Sequence, residues 1–229
     1  MTEKHFKIDD DLYSSDLSLP DKAITFIEMP LFVILAALPP VIFHFEYGLD
    51  WLFTENSLTY WLIMIPIFLA GFVLHEALHA LAWKITSKAG KSEISFGLSK
   101  SFVPFSHIRK ELSKGKYSLG VLAPVTIMGT IPVILAFVLQ LENLVIPASF
   151  FLGMGVSDLI LMLMIIPLPP GAKILDHSDR YGFYALHAEK LEKPGFFKLL
   201  TKTAGSKVPD FFQISFIILI MILIYIFFA

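Results

Sequence analysis

The sequence contains no cysteine and few charged residues. Without cysteine the chain forms no disulfides, and any metal that it binds must have ligands other than thiolates. Charged residues make up 17% of the 229 residues and hydrophobic residues 55%, with a mean hydropathy of +0.70. Because a soluble domain carries about a quarter charged residues, this composition predicts an integral membrane protein.

Lysine and arginine are also missing from alternate loops. All 18 of them lie in the N-terminal tail, in residues 84–116 or in residues 173–207, and the loops 46–57 and 140–145 contain none. Lysine and arginine accumulate in cytoplasmic loops. We therefore expect the N-terminus and both basic loops in the cytoplasm and the C-terminus outside, in a multi-pass protein of a bacterial plasma membrane.

Five apolar segments are long enough to cross a bilayer. They are residues 23–45, 58–83, 117–139, 146–167 and 211–229. Glu28 and three prolines interrupt the first segment, so a re-entrant or interfacial segment is the alternative there. The expected fold class is an all-α polytopic membrane protein with about five transmembrane helices.

The domain organisation follows from these segments. Residues 1–22 are expected to form a cytoplasmic tail, residues 23–189 the membrane domain, and residues 190–229 a basic amphipathic segment and a last transmembrane helix. The basic segment either lies on anionic lipid or is an ordinary juxtamembrane linker. Residues 93–98 alternate polar and apolar side chains, and residues 101–108 could form a second strand, which predicts a small β-hairpin over about residues 92–109 at the cytoplasmic face. Pro104 favours an edge position for its second strand.

A histidine pair in the second apolar segment gives the strongest functional signal. His75-Glu76-Ala77-Leu78-His79 has the spacing HExxH, which places both imidazoles on one helix face, about 6 Å apart along the axis. Two such nitrogens suit adjacent corners of a tetrahedral zinc site, and Glu76 could take a proton from water at the metal. Ionisable groups inside a membrane are costly, which favours a functional interpretation over two histidines without a role.

Zinc needs a third protein ligand and an open position, and Asp158 is the first candidate. It is the only ionisable residue of the fourth apolar segment. His75, His79 and Asp158 all lie about 7–14 Å inside the cytoplasmic boundary if their helices rise about 1.5 Å per residue. Gly153 and Gly155 would let helices approach closely near Asp158. The alternative role for Asp158 is a helix-pairing or proton-relay carboxylate.

Asp176 is the competing ligand. It follows a proline-rich stretch, with His177 next to it. This pair could form an additional site, contact the substrate or hydrogen-bond to the metal ligands. The alternative is a solvated loop.

These motifs together resemble a known family. HEALHAL, the strand-rich residues 93–108, Ser157-Asp158 and DHSDRYGFYAL resemble the zincin-type membrane metallopeptidases of the domain of unknown function 3267. The likeness covers residues 65–186, about half the chain. More distantly, the order of the motifs is similar to that in site-2-type intramembrane metalloproteases, which have HExxH in the first of three core helices. The LDG motif of those enzymes is absent, since Gly171-Ala172-Lys173 stands in its place.

The resemblance implies a three-helix metalloprotease core and a zinc metallopeptidase with one Zn²⁺. Its expected substrates are membrane or membrane-proximal proteins or peptides cleaved near the cytoplasmic face; the bilayer is a partner and nucleic acid is not. The predicted site consists of the metal ligands His75, His79 and Asp158, the catalytic Glu76, and the additional residues Asp176 and His177. A non-catalytic zinc-binding scaffold and a transporter are the alternatives. The intact Glu76 argues against the scaffold, and the lack of an internal repeat argues against the transporter.

Overall fold

Helices and two β-sheets make up the computed structural model, which describes residues 5–9, 12–49, 57–98, 104–177 and 180–203. The helical elements are α1 (Asp21–Tyr47), α2 (Ser57–Ser87), α3 (Lys114–Pro124), a π-helical turn (Val125–Thr130), α4 (Ile131–Val138), α5 (Glu142–Met154), α6 (Val156–Ile165) and α7 (Gly195–Thr203). The strands are β1 (His5–Asp9), β2 (Leu12–Asp16), β3 (Ile94–Leu98), β4 (Pro104–Ile108), β5 (Leu112–Ser113), β6 (Lys173–Asp176) and β7 (Phe183–His187).

Three of the helical segments are long and apolar enough to cross a membrane. They are Asp21–Tyr47, Leu58–Ser87 and Lys114–Val138. The pair α5 and α6 passes the same test if it forms one span, which is bent by 42°. These segments coincide with the first four predicted spans, and α1 is one continuous helix despite its three prolines. The fifth predicted span, residues 211–229, lies outside the described residues.

The long helices leave large apolar side chains uncovered. Leu62, Ile65 and Leu69 of α2 are exposed by 61, 54 and 63%. Contiguous exposed apolar surface of this kind marks an interaction with a partner or a membrane. Together with the length and hydropathy of the helices, it supports a membrane protein.

Glycines let three helical elements meet at the bend between α5 and α6. A Cβ added to Gly155 would lie 2.4 Å from Val125 Cγ2, and one added to Gly129 would lie 2.6 Å from Leu152 Cα. Gly153 packs on α1, where an added Cβ would lie 3.0 Å from the Phe32 carbonyl oxygen. The close approach expected at Gly153 and Gly155 is confirmed.

A five-stranded antiparallel sheet is the main departure from the predicted all-α fold. Its strand order is β1-β2-β7-β6-β5, and Tyr13 of β2 lies opposite His187 of β7. The residues 1–22 that we expected to form a tail therefore contain two of its strands. Local periodicity missed the sheet because its strands are short and because β2 pairs with β7 across most of the chain.

The predicted hairpin is present as a separate two-stranded sheet. β3 and β4 pair antiparallel, with Ile94 opposite Ile108 and Leu98 opposite Pro104. Its position at a cytoplasmic face stays a prediction. In the basic segment, α7 buries Phe197 in the core and exposes Phe196 by 59%, so the expected amphipathic segment is helical over Gly195–Thr203.

The core lies between the five-stranded sheet and the helices α3 and α6. Leu17, Tyr117, Ile160, Ile174 and Phe183 are all at most 2% exposed and belong to one cluster. This packing fixes α6 and α3 relative to the sheet, and both helices carry groups that face the histidines of α2.

Candidate metal centre

The predicted ligands converge in the structure. His75 and His79 lie on one face of α2 with ring centroids 5.0 Å apart. Asp158 lies in the first turn of α6, directly after the bend at Gly155. All three side chains belong to residues that are at most 6% exposed. Two histidines and a carboxylate buried together in apolar surroundings need a compensating partner, since unpaired buried charge is costly.

One carboxylate oxygen faces each imidazole. His75 Nε2 lies 3.3 Å from Asp158 Oδ2, and His79 Nε2 lies 3.2 Å from Asp158 Oδ1. One ligand atom from each residue lies within 4.8 Å of the others. Among the described residues, no other group of three histidine, aspartate or glutamate side chains has this arrangement.

The donor set and its burial fit a zinc ion. His75 Nδ1 and Asp158 Oδ2 are buried and have no hydrogen-bond partner among the described residues. Buried polar atoms are nearly always paired, and a cation between the three residues would satisfy Asp158 Oδ2. Two imidazoles and one carboxylate are a common protein ligand set of catalytic zinc, with the fourth position open.

A backbone carbonyl orients His79. Its Nδ1 lies 2.9 Å from the Gly120 carbonyl oxygen of α3. With the proton on Nδ1, that nitrogen donates to Gly120, and the lone pair of Nε2 faces the cluster. The Trp83 ring stacks on His79 with centroids 5.5 Å apart, and Trp83 Nε1 donates to the Tyr117 carbonyl oxygen over 3.2 Å. The Gly120 carbonyl of α3 and the Trp83 ring of α2, itself bonded to α3, therefore hold this histidine from two sides.

Glu76 lies at the contact between α2 and the hairpin. It is half-buried, and Ser106 of β4 donates its hydroxyl to Glu76 Oε2 over 2.8 Å. Sequence reasoning missed Ser106. The hairpin predicted over residues 92–109 includes a strand at this position, but the sequence does not reveal which face of that strand meets α2.

Residues 68–173 match the family model of the domain of unknown function 3267, described as "Putative zincin peptidase". The match covers 106 residues, just under half of the 229-residue chain. It contains the three clustered residues and Glu76, and it ends before Asp176. No curated protein and no solved structure matches the chain. The resemblance to this family is thus confirmed over residues 68–173, whereas the similarity to site-2-type proteases stays a resemblance.

Asp176 and His177 lie outside the cluster of His75, His79 and Asp158. Asp176 Oδ1 accepts a hydrogen bond from the Tyr117 hydroxyl over 2.7 Å, and its Oδ2 lies 2.7 Å from His107 Nδ1. His177 Nε2 lies 3.0 Å from the Tyr184 hydroxyl, and the two rings stack. Of the two candidate aspartates, the structure brings Asp158 to the histidines and gives Asp176 other partners.

Two residues beside the cluster of His75, His79 and Asp158 were not predicted as part of the site. Glu28 of α1 lies close enough to Ser157 and Asp158 to interact electrostatically with both. Tyr181 donates its hydroxyl to the Ser157 carbonyl oxygen. Burial, together with the carboxylates of Asp158 and Glu28, raises the pKa of Tyr181 well above its usual value, so the phenol stays a donor. The sequence signal for Glu28 was the presence of an acidic residue in the first apolar segment.

Proposed function

We propose that this protein is a zinc-dependent metallopeptidase that works within or at the surface of a membrane. The observation that carries the proposal is the buried cluster of His75, His79 and Asp158, with Glu76 next to it on α2. The match of residues 68–173 to the model of a zincin peptidase family supports it independently. A scaffold that only binds zinc would need the cluster but not Glu76.

The chemistry follows from the positions of these side chains. Zinc held by His75, His79 and Asp158 would polarise a water molecule and the carbonyl of the scissile peptide bond. Glu76 takes a proton from the attacking water and passes it to the leaving nitrogen. Ser106 binds one oxygen of the Glu76 carboxylate and so orients it for this transfer.

Membrane or membrane-proximal proteins near the cytoplasmic face are the proposed substrates. The placement of every lysine and arginine in alternate segments supports that orientation. β3 and β4 form a sheet of two strands, so each leaves an edge that an extended peptide could join. A peptide on this sheet would run beside Glu76, because β4 also carries Ser106.

The test compares the wild-type protein with Glu76→Gln. We expect the variant to keep stoichiometric zinc and to lose hydrolysis, seen as peptides present in wild-type membranes and missing from those with the variant. His75→Ala is the matched control, because it should lose both zinc and hydrolysis. Peptide products that persist in Glu76→Gln would contradict the role of this residue, and a protein that never retains zinc would contradict the metal centre.

A further inference from the structure

A second polar cluster joins three structural elements outside the metal centre. Asp176 ends β6, His107 lies on β4 and Tyr117 lies on α3. Asp176 Oδ1 accepts from the Tyr117 hydroxyl over 2.7 Å, and Asp176 Oδ2 lies 2.7 Å from His107 Nδ1 and 3.4 Å from the backbone nitrogen of Ile108. The side chains of His107 and Asp176 are both only 15% exposed. One carboxylate therefore receives hydrogen bonds from a helix and from a strand.

Tyr117 is the fixed end of this cluster. It is 1% exposed, and its ring stacks on Trp83 with centroids 5.6 Å apart and packs on Phe183. Its carbonyl oxygen also accepts from Trp83 Nε1. These contacts hold Tyr117 whether or not Asp176 is present, so its hydroxyl is a stable anchor point for Asp176.

Strand β4 is the other end of the cluster. Neighbouring residues of a strand point to opposite faces, and here His107 points to Asp176 while Ser106 points to Glu76 of α2. The Ser106 hydroxyl donates to Glu76 over 2.8 Å. β4 is therefore held from both faces at successive residues.

We propose that Asp176 is a positioning residue for Glu76: by tying β4 to Tyr117, it keeps the Ser106 hydroxyl on the Glu76 carboxylate. The proposal rests on the proposed function, in which Glu76 moves the proton. Asp176→Asn separates the two ends, since an amide oxygen can still accept from Tyr117 while the amide nitrogen cannot accept from His107. The histidine and the Ile108 amide would then lose their shared acceptor.

The first measurement follows the position of β4 and needs no substrate. The chain contains no cysteine, so spin labels can be attached specifically after Val73→Cys and Phe105→Cys. Val73 of α2 is 47% exposed and Phe105 of β4 is 41% exposed. We expect Asp176→Asn to broaden the distance distribution between the labels. Glu111→Gln is the control, because it removes an exposed carboxylate that pairs with Lys173 on the same sheet; an unchanged distribution in Asp176→Asn would overturn the proposal.

The second measurement is a double-mutant cycle on Glu76-dependent hydrolysis. Ser106→Ala and Asp176→Asn should each lower kcat about tenfold, as expected for a lost hydrogen bond to a charged group. If Asp176 acts through Ser106, the double variant should be no slower than Ser106→Ala alone, with zinc content unchanged in all. Multiplied losses would overturn the proposal. A wild-type protein without Glu76-dependent hydrolysis would count against the proposed function, while the label distances would still decide whether Asp176 positions β4.

Discussion

Replacement of Gly155 by alanine tests whether helix packing sets the position of Asp158. The added Cβ would lie 2.4 Å from Val125 Cγ2 and 2.5 Å from Val125 Cβ. Carbon atoms in favourable contact are about 3.5–4.0 Å apart, so α6 and the π-helical turn must separate by about 1 Å. Overpacking of this kind costs about 1–3 kcal/mol of stability.

The same displacement reaches the metal centre. Asp158 lies three residues after Gly155, in the first turn of α6. Ligand distances in metal sites hold to within about 0.2 Å, so a shift of this size weakens zinc binding although every ligand is intact. We expect Gly155→Ala to lower zinc affinity about 10- to 100-fold, which is the range for changes to residues that orient metal ligands.

Zinc titration against a competing chelator, with thermal unfolding in the same detergent, measures both effects. Gly115→Ala is the control, because an added Cβ there meets no atom within 4 Å. Val125→Gly in the Gly155→Ala background removes the colliding side chain and should restore zinc affinity. A variant that is destabilised but binds zinc as tightly as the wild type would refute the reasoning.

Three further predictions test the site and the fold. Asp158→Asn should lower zinc occupancy and Asp176→Asn should not; metal analysis that shows equal occupancy in both would contradict Asp158 as the third ligand. Gly120→Ala would place a Cβ 1.8 Å from Trp83 Nε1 and should weaken zinc binding because Trp83 stacks on His79; zinc affinity equal to that of the wild type would argue against this contact. Burial opposes ionisation of Asp16, but hydrogen bonds from Ser18 and nearby positive charges together outweigh it and lower the pKa of this carboxyl. Because the folded pKa lies below the unfolded value of about 3.9, this stabilisation is present at neutral pH and is lost on acidification below about pH 4. Asp16→Asn should therefore make thermal stability less sensitive to pH in that range, and identical pH profiles would contradict this role.

The helices and the clustering of His75, His79 and Asp158 could be predicted because each signal lies within a single segment. Apolar runs of about 20 residues indicate spans, and the spacing of His75 and His79 indicates a shared helix face. Asp158 was predictable from its expected depth in the membrane. The basic loops predict the direction of each segment, and a rise of about 1.5 Å per residue then places Asp158 at the same distance from the membrane face as the two histidines. The hairpin was predictable from its alternation.

The groups that depend on tertiary pairing could not be predicted in this way. Ser106 contacts Glu76 only because one particular face of β4 packs on α2, and alternation gives the period of a strand without its partner. Likewise, the pairing of Tyr13 with His187 joins the two ends of the described chain. Nothing within either strand indicates a partner so distant in sequence.

The support of Asp158 extends beyond the region that matches the family. Leu19 donates its backbone amide to the Tyr181 carbonyl oxygen over 2.7 Å, and Tyr181 in turn donates its hydroxyl to the carbonyl oxygen of Ser157. Ser157 precedes Asp158 and lies close to Glu28 of α1. Leu19, Tyr181 and Glu28 all lie outside residues 68–173. Because Tyr181 contacts the first turn of α6 and is itself bound by Leu19, the N-terminal segment belongs to the structure that holds Asp158 in place.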